Sequence, residues 1–170
     1  YGIPTVALRY FNVYGPRQSL SNPYTGVCAI FQSRIKNGHP PVVYEDGLQS
    51  RDFVSVHDVV QANLLASTTS AADGEAVNVG TGQATSIGGA AAVLLALYNS
   101  PHSVQVAGTF RAGDIRHCVA DIRKAGALLD YVPAVSFQEG MAELAAWGRN
   151  QTAKDGFESA QLELRNRGLA

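Results

Sequence analysis

Short β-branched runs alternate along this chain with stretches of apolar residues at helical spacing. Residues 5–10 are β-branched and aromatic, follow Pro4 and meet turn residues at 12–15, so they predict a buried strand feeding a loop. Over 26–36 the apolar positions Val27, Ile30, Phe31 and Ile35 recur at the helical period, and Asn37-Gly38 supplies the stop. Pro40-Pro41 forces extended chain into Val42-Val43-Tyr44. The turn Glu45-Asp46-Gly47 then returns the chain into a strand over 51–54, which predicts a hairpin.

Ser55-Val56-His57-Asp58 has the form of a capping box and opens a helix to about Ser67, with Val56, Val60 and Leu64 along one face. Residues 75–79 predict a strand closed by Gly80-Thr81-Gly82. Thr85 or Ser86 then caps an almost wholly apolar helix ending near Asn99, which predicts burial on every side. Gly88 and Gly89 in its first turns cost about 1 kcal/mol each against alanine, and nothing in the local pattern accounts for them. A short strand at 104–106, a helix from Asp121 to Leu129, and a capping box at Ser136-Phe137-Gln138-Glu139 opening a helix through Trp147 complete the regular part. The remainder, 149–170, is polar: either a short helix carried by Phe157, Ala160, Leu162 and Leu164 or a frayed tail. No repeat or linker divides the chain, so residues 1–170 are expected to form a single unit.

With 46% hydrophobic residues, the 170-residue chain has the means to bury roughly 70% of its unfolded surface as one domain. A formal charge of -1 provides no long-range field for nucleic acid or an acidic membrane. The longest apolar run, 90–97, falls far short of the roughly 20 residues that span a bilayer. No secretory leader pattern opens the chain, and the cytoplasm is the expected compartment. Cys28 and Cys118 are expected to be unpaired, and no Cys or His spacing suggests a metal.

Several residues are suited to a ligand that combines phosphate, hydroxyls and a flat ring. Arg51, at a strand start, and Arg111, in a glycine-containing loop, present planar cationic forks that match phosphate oxygens. Equally, they could form solvated loop ion pairs, Arg51 with Asp52 or Glu45 and Arg111 with Asp114. Gly113 allows a tight turn that leaves Asp114 facing the same ligand to accept from hydroxyls. Asn12 can donate and accept at once, or simply bond its own turn. Tyr44 offers an aromatic face, or is a half-buried strand tyrosine. Backbone N–H groups at the helix start near Gly26 and Val27 form an anion site without a basic side chain. Asn78-Val79-Gly80-Thr81-Gly82 lacks the spacing of a dinucleotide loop, and His57 and His117 are given no catalytic role.

The ordered series Arg9-Tyr10-Phe11-Asn12-Val13-Tyr14-Gly15-Pro16-Arg17, Arg51-Asp52-Phe53-Val54, Asn78-Val79-Gly80-Thr81-Gly82 and Arg111-Ala112-Gly113-Asp114 resembles the C-terminal half of the extended short-chain dehydrogenase/reductase family. The branch it resembles epimerises or dehydrates nucleotide-diphosphate sugars. Residues 22–26 and 45–53 look most like bacterial 4-epimerases acting on UDP-glucose or dTDP-rhamnose. This resemblance implies an α/β fold, the substrate-binding portion of an extended Rossmann-type enzyme, holding the last strands of a parallel sheet without the dinucleotide-binding half. It implies that Arg51 and Arg111 bind the diphosphate and Asp114 the nucleoside. Tyr44 would then pack on the base or ribose, Val27 would lie on the nucleotide, Asn12 and Asn78 would face the substrate, and Phe11 would border the nicotinamide of NAD.

In the family reaction a tyrosine assisted by a lysine takes the sugar 4-hydroxyl proton while hydride passes from C4 to NAD. The Tyr-x-x-x-Lys pair and the glycine-rich loop lie before the first of these motifs. The chain is therefore expected to be half an enzyme, inactive alone, with no catalytic residue of its own and NAD held mainly by the other half. The full-length protein is expected to be a homodimer. The alternatives are half of a nucleotide-sugar 4,6-dehydratase or a non-catalytic nucleotide-binding member.

Overall fold

The computed structural model describes residues 1–22, 25–109 and 113–168. In chain order the first elements are β1 (Ala7–Tyr10), β2 (Asn12–Tyr14), α1 (Val27–Lys36), β3 (Val42–Val43), β4 (Ser50–Arg51), β5 (Phe53–Ser55) and α2 (Val56–Thr68). There follow β6 (Ala76–Val79), β7 (Thr85–Ser86), α3 (Ile87–Leu97), β8 (Gln105–Val106), β9 (His117–Cys118), α4 (Arg123–Leu129), α5 (Phe137–Arg149) and α6 (Phe157–Asn166). α6 decides between the two readings of the C-terminal residues in favour of a helix.

Pairing joins distant segments. β1 runs parallel to β6, β2 to β5 and β3 to β8, while β4 lies between antiparallel β7 and parallel β9. Parallel pairs require a crossover, and helices supply it: α1 lies between β2 and β5 in sequence, α2 between β1 and β6.

Two expectations fail here for the same reason. Residues 12–14 are strand rather than turn. The Phe11 N–H donates to the Val79 carbonyl (3.0 Å) and the Asn12 N–H to the Asp52 carbonyl (2.9 Å), so the chain changes partner from β6 to β5 without reversing. The hairpin over 42–54 does not form either, because β3 and β4 find partners far along the chain. The turn between them docks on α3 instead: the Gly88 N–H donates to the Gly47 carbonyl (2.8 Å), and a Cβ on Gly88 would stand 3.1 Å from that oxygen. That close approach is the reason for a glycine at 88.

β5 separates two apolar clusters, since successive strand residues face opposite sides. Phe53 joins Tyr14, Phe31, Leu94, Met141 and Leu144 beneath α1, α3 and α5. Val54 joins Val59, Val77, Val79, Leu129 and Tyr131 between β6, α2 and α4. Within the first cluster, Phe53, Tyr14 and Phe137 pack with ring centroids 5.6 to 6.4 Å apart.

The helix faces need further correction. α2 buries Asp58, Val59 and Ala62, while Val60 and Leu64 are exposed, so the expected Val56-Val60-Leu64 stripe is not its core face. Ser55 caps α2 by accepting from the His57 N–H, but Asp58 does not complete a box. Its carboxylate accepts from the Ala134 (2.8 Å) and Val135 (3.3 Å) N–H groups and pins the loop before α5. α3 is not buried all round, as Ala92 and Ala96 are exposed. The α4 helix starts at Arg123, whose N–H donates to Asp121 Oδ1 (3.0 Å), rather than at Asp121 itself. The capping box at Ser136 and Glu139 forms as expected.

Asp52 is fully buried and accepts from the Thr81 N–H (2.8 Å), the Thr81 hydroxyl (2.7 Å), the Gly82 N–H (2.8 Å) and the Ala120 N–H (3.2 Å). Removing the carboxylate strands these donors. Asp52→Ala is expected to destabilise the fold by on the order of 3 kcal/mol, read as a lower urea midpoint. Asp52→Asn, which keeps the shape but turns an NH2 toward N–H donors, should fall between. An unchanged midpoint for Asp52→Ala would show that the three segments hold together without it.

Candidate functional site

A cleft of about 330 Å³ opens where the start of α1, the end of β3, β4 and α6 meet. One wall is polar. Arg51 in β4 reaches it with its guanidinium fixed from behind, Nη1 donating to the Ser50 (2.9 Å) and Arg116 (3.3 Å) carbonyls. Its Nη2 lies 2.8 Å from Asp114 Oδ1, an ion pair whose side chains are 14% and 23% exposed. Arg51 therefore pairs with Asp114, rather than with Asp52 or Glu45.

Asn12 enters the same cleft from β2, its backbone held by Asp52 and β5. Gly26 and Val27 present the start of α1, where no side chain caps the helix and no acidic residue occupies the first turn. Those N–H groups carry the positive end of the helix toward the cleft. Val42, Val43, Tyr44, Ile30 and Ile87 make the apolar wall.

The structure thus gathers Asn12, Val27, Tyr44, Arg51 and Asp114 into one cavity. Arg111 lies outside the described residues. Asn78 is not brought to the cleft: it sits in β6 opposite Arg9, and its amide donates to the Asp121 carbonyl (3.1 Å). Phe11 also lies outside the cleft lining, at the point where the chain passes from β1 to β2. His57 pairs with exposed Glu143 (3.0 Å), and His117 Nδ1 meets the Ser50 hydroxyl (2.8 Å); neither lines the cavity.

Sequence reasoning missed Gln49, which is 4% exposed and lines the cleft with its Nε2 donating to the Tyr44 carbonyl (3.0 Å). It also missed the contribution of Phe157, Ala160 and Gln161 from α6. The signal for α6 was present as its apolar stripe, but nothing local told which surface that stripe covers.

At the rim, Arg116 bridges Glu45 (2.5 Å) and Asp46 (2.7 Å), and this guanidinium holds the Asp46 carboxyl down to about 2. The Gly80-Thr81-Gly82 turn has backbone donors of the kind that bind phosphate, but the Asp52 carboxylate already occupies them. That turn therefore does not fit the diphosphate of a dinucleotide such as NAD. Among the described residues no cluster of three or more His, Cys, Asp or Glu is placed to hold a metal ion, and no helix is long and apolar enough to cross a membrane.

Residues 1–80 match the model of the NAD dependent epimerase/dehydratase family. A dTDP-L-rhamnose 4-epimerase of Burkholderia thailandensis is 42% identical over 147 residues, covering 85% of this chain and 39% of that protein. The fold is similar to that of a UDP-glucose 4-epimerase from Thermotoga maritima solved with UDP-glucose, at TM-score 0.79 and 38% identity over 88% of this chain and 47% of that one. It is also similar to a UDP-glucuronic acid 4-epimerase from Bacillus cereus in complex with UDP-glucuronic acid and NAD, at TM-score 0.76 and 30% identity over 86% and 46%. The chain spans less than half the length of each of these three proteins and matches the C-terminal part of their Rossmann-type fold.

Both cysteines are free thiols. Cys28, in α1 behind the cleft, is 1% exposed and burial pushes its thiol up to about 12 from an ordinary 9.0. Cys118 is half-buried opposite Arg51 in the β4–β9 pair. A thiol reagent near pH 8 is expected to modify Cys118 and spare Cys28 until the chain unfolds, as mass spectrometry of the labelled peptides would read. The folded state keeps the Cys28 proton after the unfolded state has lost it. Stability from this group is therefore whole below about 9 and declines as pH rises toward about 12. Equal labelling of both thiols in the folded protein would contradict this.

Proposed function

Because the chain belongs to the NAD dependent epimerase/dehydratase family, we propose that its cleft grips the nucleoside diphosphate of a nucleotide sugar within an NAD-dependent sugar 4-epimerase. The observation that carries this reading is the Arg51–Asp114 pair beside Tyr44 and the uncapped start of α1. A fork for phosphate oxygens, a carboxylate for ribose hydroxyls, a flat ring for the base and the N–H groups of a helix start are the complementary set for such a ligand. Arg111, which opens the Arg-x-Gly-Asp stretch, is proposed as the second diphosphate ligand.

Arg51 is held by two backbone carbonyls, so a diphosphate takes the place of Asp114 on Nη2 without reorienting the guanidinium. Asp114 is then released toward the ribose. Asn12 stands where nucleotide grip passes to sugar positioning, its amide able to donate to a hexose oxygen and accept from a hydroxyl. Holding the nucleotide firmly allows the hexose to turn without the 4-keto sugar escaping, which spends remote binding energy on the reacting centre.

Turnover belongs to the whole protein in this reading. None of the seven tyrosines is followed four residues later by lysine, and with its glycine turn filled by Asp52 this chain alone is proposed to be inactive. Among the described residues β1 pairs with β6 alone and its side chains are largely exposed, so we place the remaining strands of the sheet on its free edge.

In the complete protein Arg51→Ala is expected to raise the dissociation constant for UDP or dTDP by one to two decades, about 1.5–3 kcal/mol, and leave NAD content unchanged. Calorimetry for the nucleotide and absorbance of released cofactor read the two effects separately. Loss of NAD instead would assign this arginine to the cofactor. Asn12→Ala is expected to lower turnover more than it weakens nucleoside diphosphate binding, because an interaction serving the transition state appears in the rate constant. Unchanged turnover with a lower melting temperature would leave Asn12 a structural residue of β2.

A further inference from the structure

Residues 149–166 have the composition of a tail yet are fastened like part of the core. Lys36, at the end of α1, donates to the carbonyls of Gly148, Arg149 (3.0 Å) and Gln151 (2.6 Å), and the Asn37 amide donates to the Ala153 carbonyl (3.1 Å). Asp155, its side chain 9% exposed, accepts from the Phe157 N–H (3.0 Å) and meets both Arg34 (3.4 Å) and His39 (2.7 Å). Arg34, 5% exposed, also lies 4.3 Å from the centre of the Phe157 ring. Anchors this buried make α6 a fixed wall of the cleft rather than a swinging flap.

That wall carries an amide. Gln161 Nε2 stands 3.5 Å from the Tyr44 hydroxyl and lines the cleft. Inside the cleft, Gln49 gives its Nε2 to the Tyr44 carbonyl, which leaves its Oε1 buried with no partner among the described residues. A buried acceptor with no protein partner is left for a donor from ordered water or from a ligand, and Gln49 belongs to the cleft lining. Two amides therefore bracket one aromatic ring in a slot otherwise made of Val27, Ile30 and Val42.

We propose that α6 closes a nucleobase slot in which Tyr44 covers the base while Gln49 Oε1 accepts from its ring N–H and Gln161 Nε2 donates to its carbonyl. An N–H beside a carbonyl is the imide edge of uracil or thymine; guanine presents that pair on a larger two-ring base, and adenine presents its amino N–H beside a bare ring nitrogen instead of a carbonyl. Gln161 is thus a specificity-determining residue supplied by the C-terminal segment. The inference rests on the nucleoside diphosphate reading above and says which residues select the base.

Calorimetric titration of the complete protein with UDP, ADP and inorganic pyrophosphate tests it, using the native protein, Gln161→Ala and a version ending at Ala153. Gln161→Ala is expected to weaken UDP about tenfold, to lower the UDP-over-ADP preference by the same factor, and to leave pyrophosphate unchanged. The shortened protein should lose more UDP affinity than Gln161→Ala and again keep pyrophosphate, which also reports that the phosphate site is folded. Equal UDP affinity in all three overturns the proposal, as does a parallel loss of pyrophosphate, which would make α6 a prop of the fold. Tighter UDP binding on shortening would make α6 a plug and overturns it too. Failure of the native protein to bind UDP at all would sink the nucleotide reading itself, a result distinct from the others.

Discussion

The buried carboxylate of Asp52 is the point on which the rest of the arrangement turns. Its own N–H donates to the Cys118 carbonyl (3.1 Å) and its carbonyl receives the Asn12 N–H (2.9 Å), so its backbone joins β9 to β2. Its side chain gathers the turn after β6 and the chain before α4. Charge-assisted bonds from several converging donors offset the cost of burying the ion, which an unpaired carboxylate would not survive. Gly80 is part of the same fit: a Cβ there would stand 2.6 Å from both Asp52 Oδ2 and the Ala120 side chain.

This interior anion determines what its neighbours can do. Arg51 and Asp52 are adjacent, and their side chains part, one into the cleft and the other into the core. Fixing Asp52 on three sides therefore fixes the strand that aims Arg51. The same constraint removes the Gly80–Gly82 turn from phosphate binding, since its N–H groups are satisfied internally. A glycine-rich turn after a strand resembles an anion site, but here the anion is a residue of the chain. Asp58 repeats the device in the first turn of α2, giving up the capping box to hold the Ala134 and Val135 N–H groups.

How much was legible in the sequence follows from how local each signal is. Helices α1, α3 and α5 show themselves because spacing and caps lie within a few residues: Ser86 accepts from Gly89 and Ser136 from Glu139, as their spacing implies. Strand partners do not, because pairing is decided by segments far away. Hence 12–14 looked like a turn and 42–54 like a hairpin. The candidate site divides in the same way. Asn12, Arg51 and Asp114 stand in ordered motifs and meet Tyr44 in the cleft, whereas Gln49 is an ordinary polar residue until Tyr44 is seen beside it. Asn78 was placed by its motif, yet its amide is taken by the Asp121 carbonyl. The role of α6 was invisible because its anchor, Arg34, is 121 residues from Asp155, and local polarity in 149–155 reads as solvent exposure.

The ion pair inside the cleft makes physical sense as a held position for a ligand. An arginine left unpaired in a part-buried cavity would bear a desolvation cost, and its long side chain would sample many rotamers. Pairing with Asp114 removes both penalties while no anion is present, and the Ser50 and Arg116 carbonyls keep the fork in place as that partner changes. On the proposed reading, binding a diphosphate would exchange one charge-assisted bond for another, so the affinity gained per phosphate contact would be moderate and the selectivity would come from elsewhere in the cleft. The walls contributed by α1, β3 and α6 are the parts with shape and hydrogen-bonding character enough to supply it.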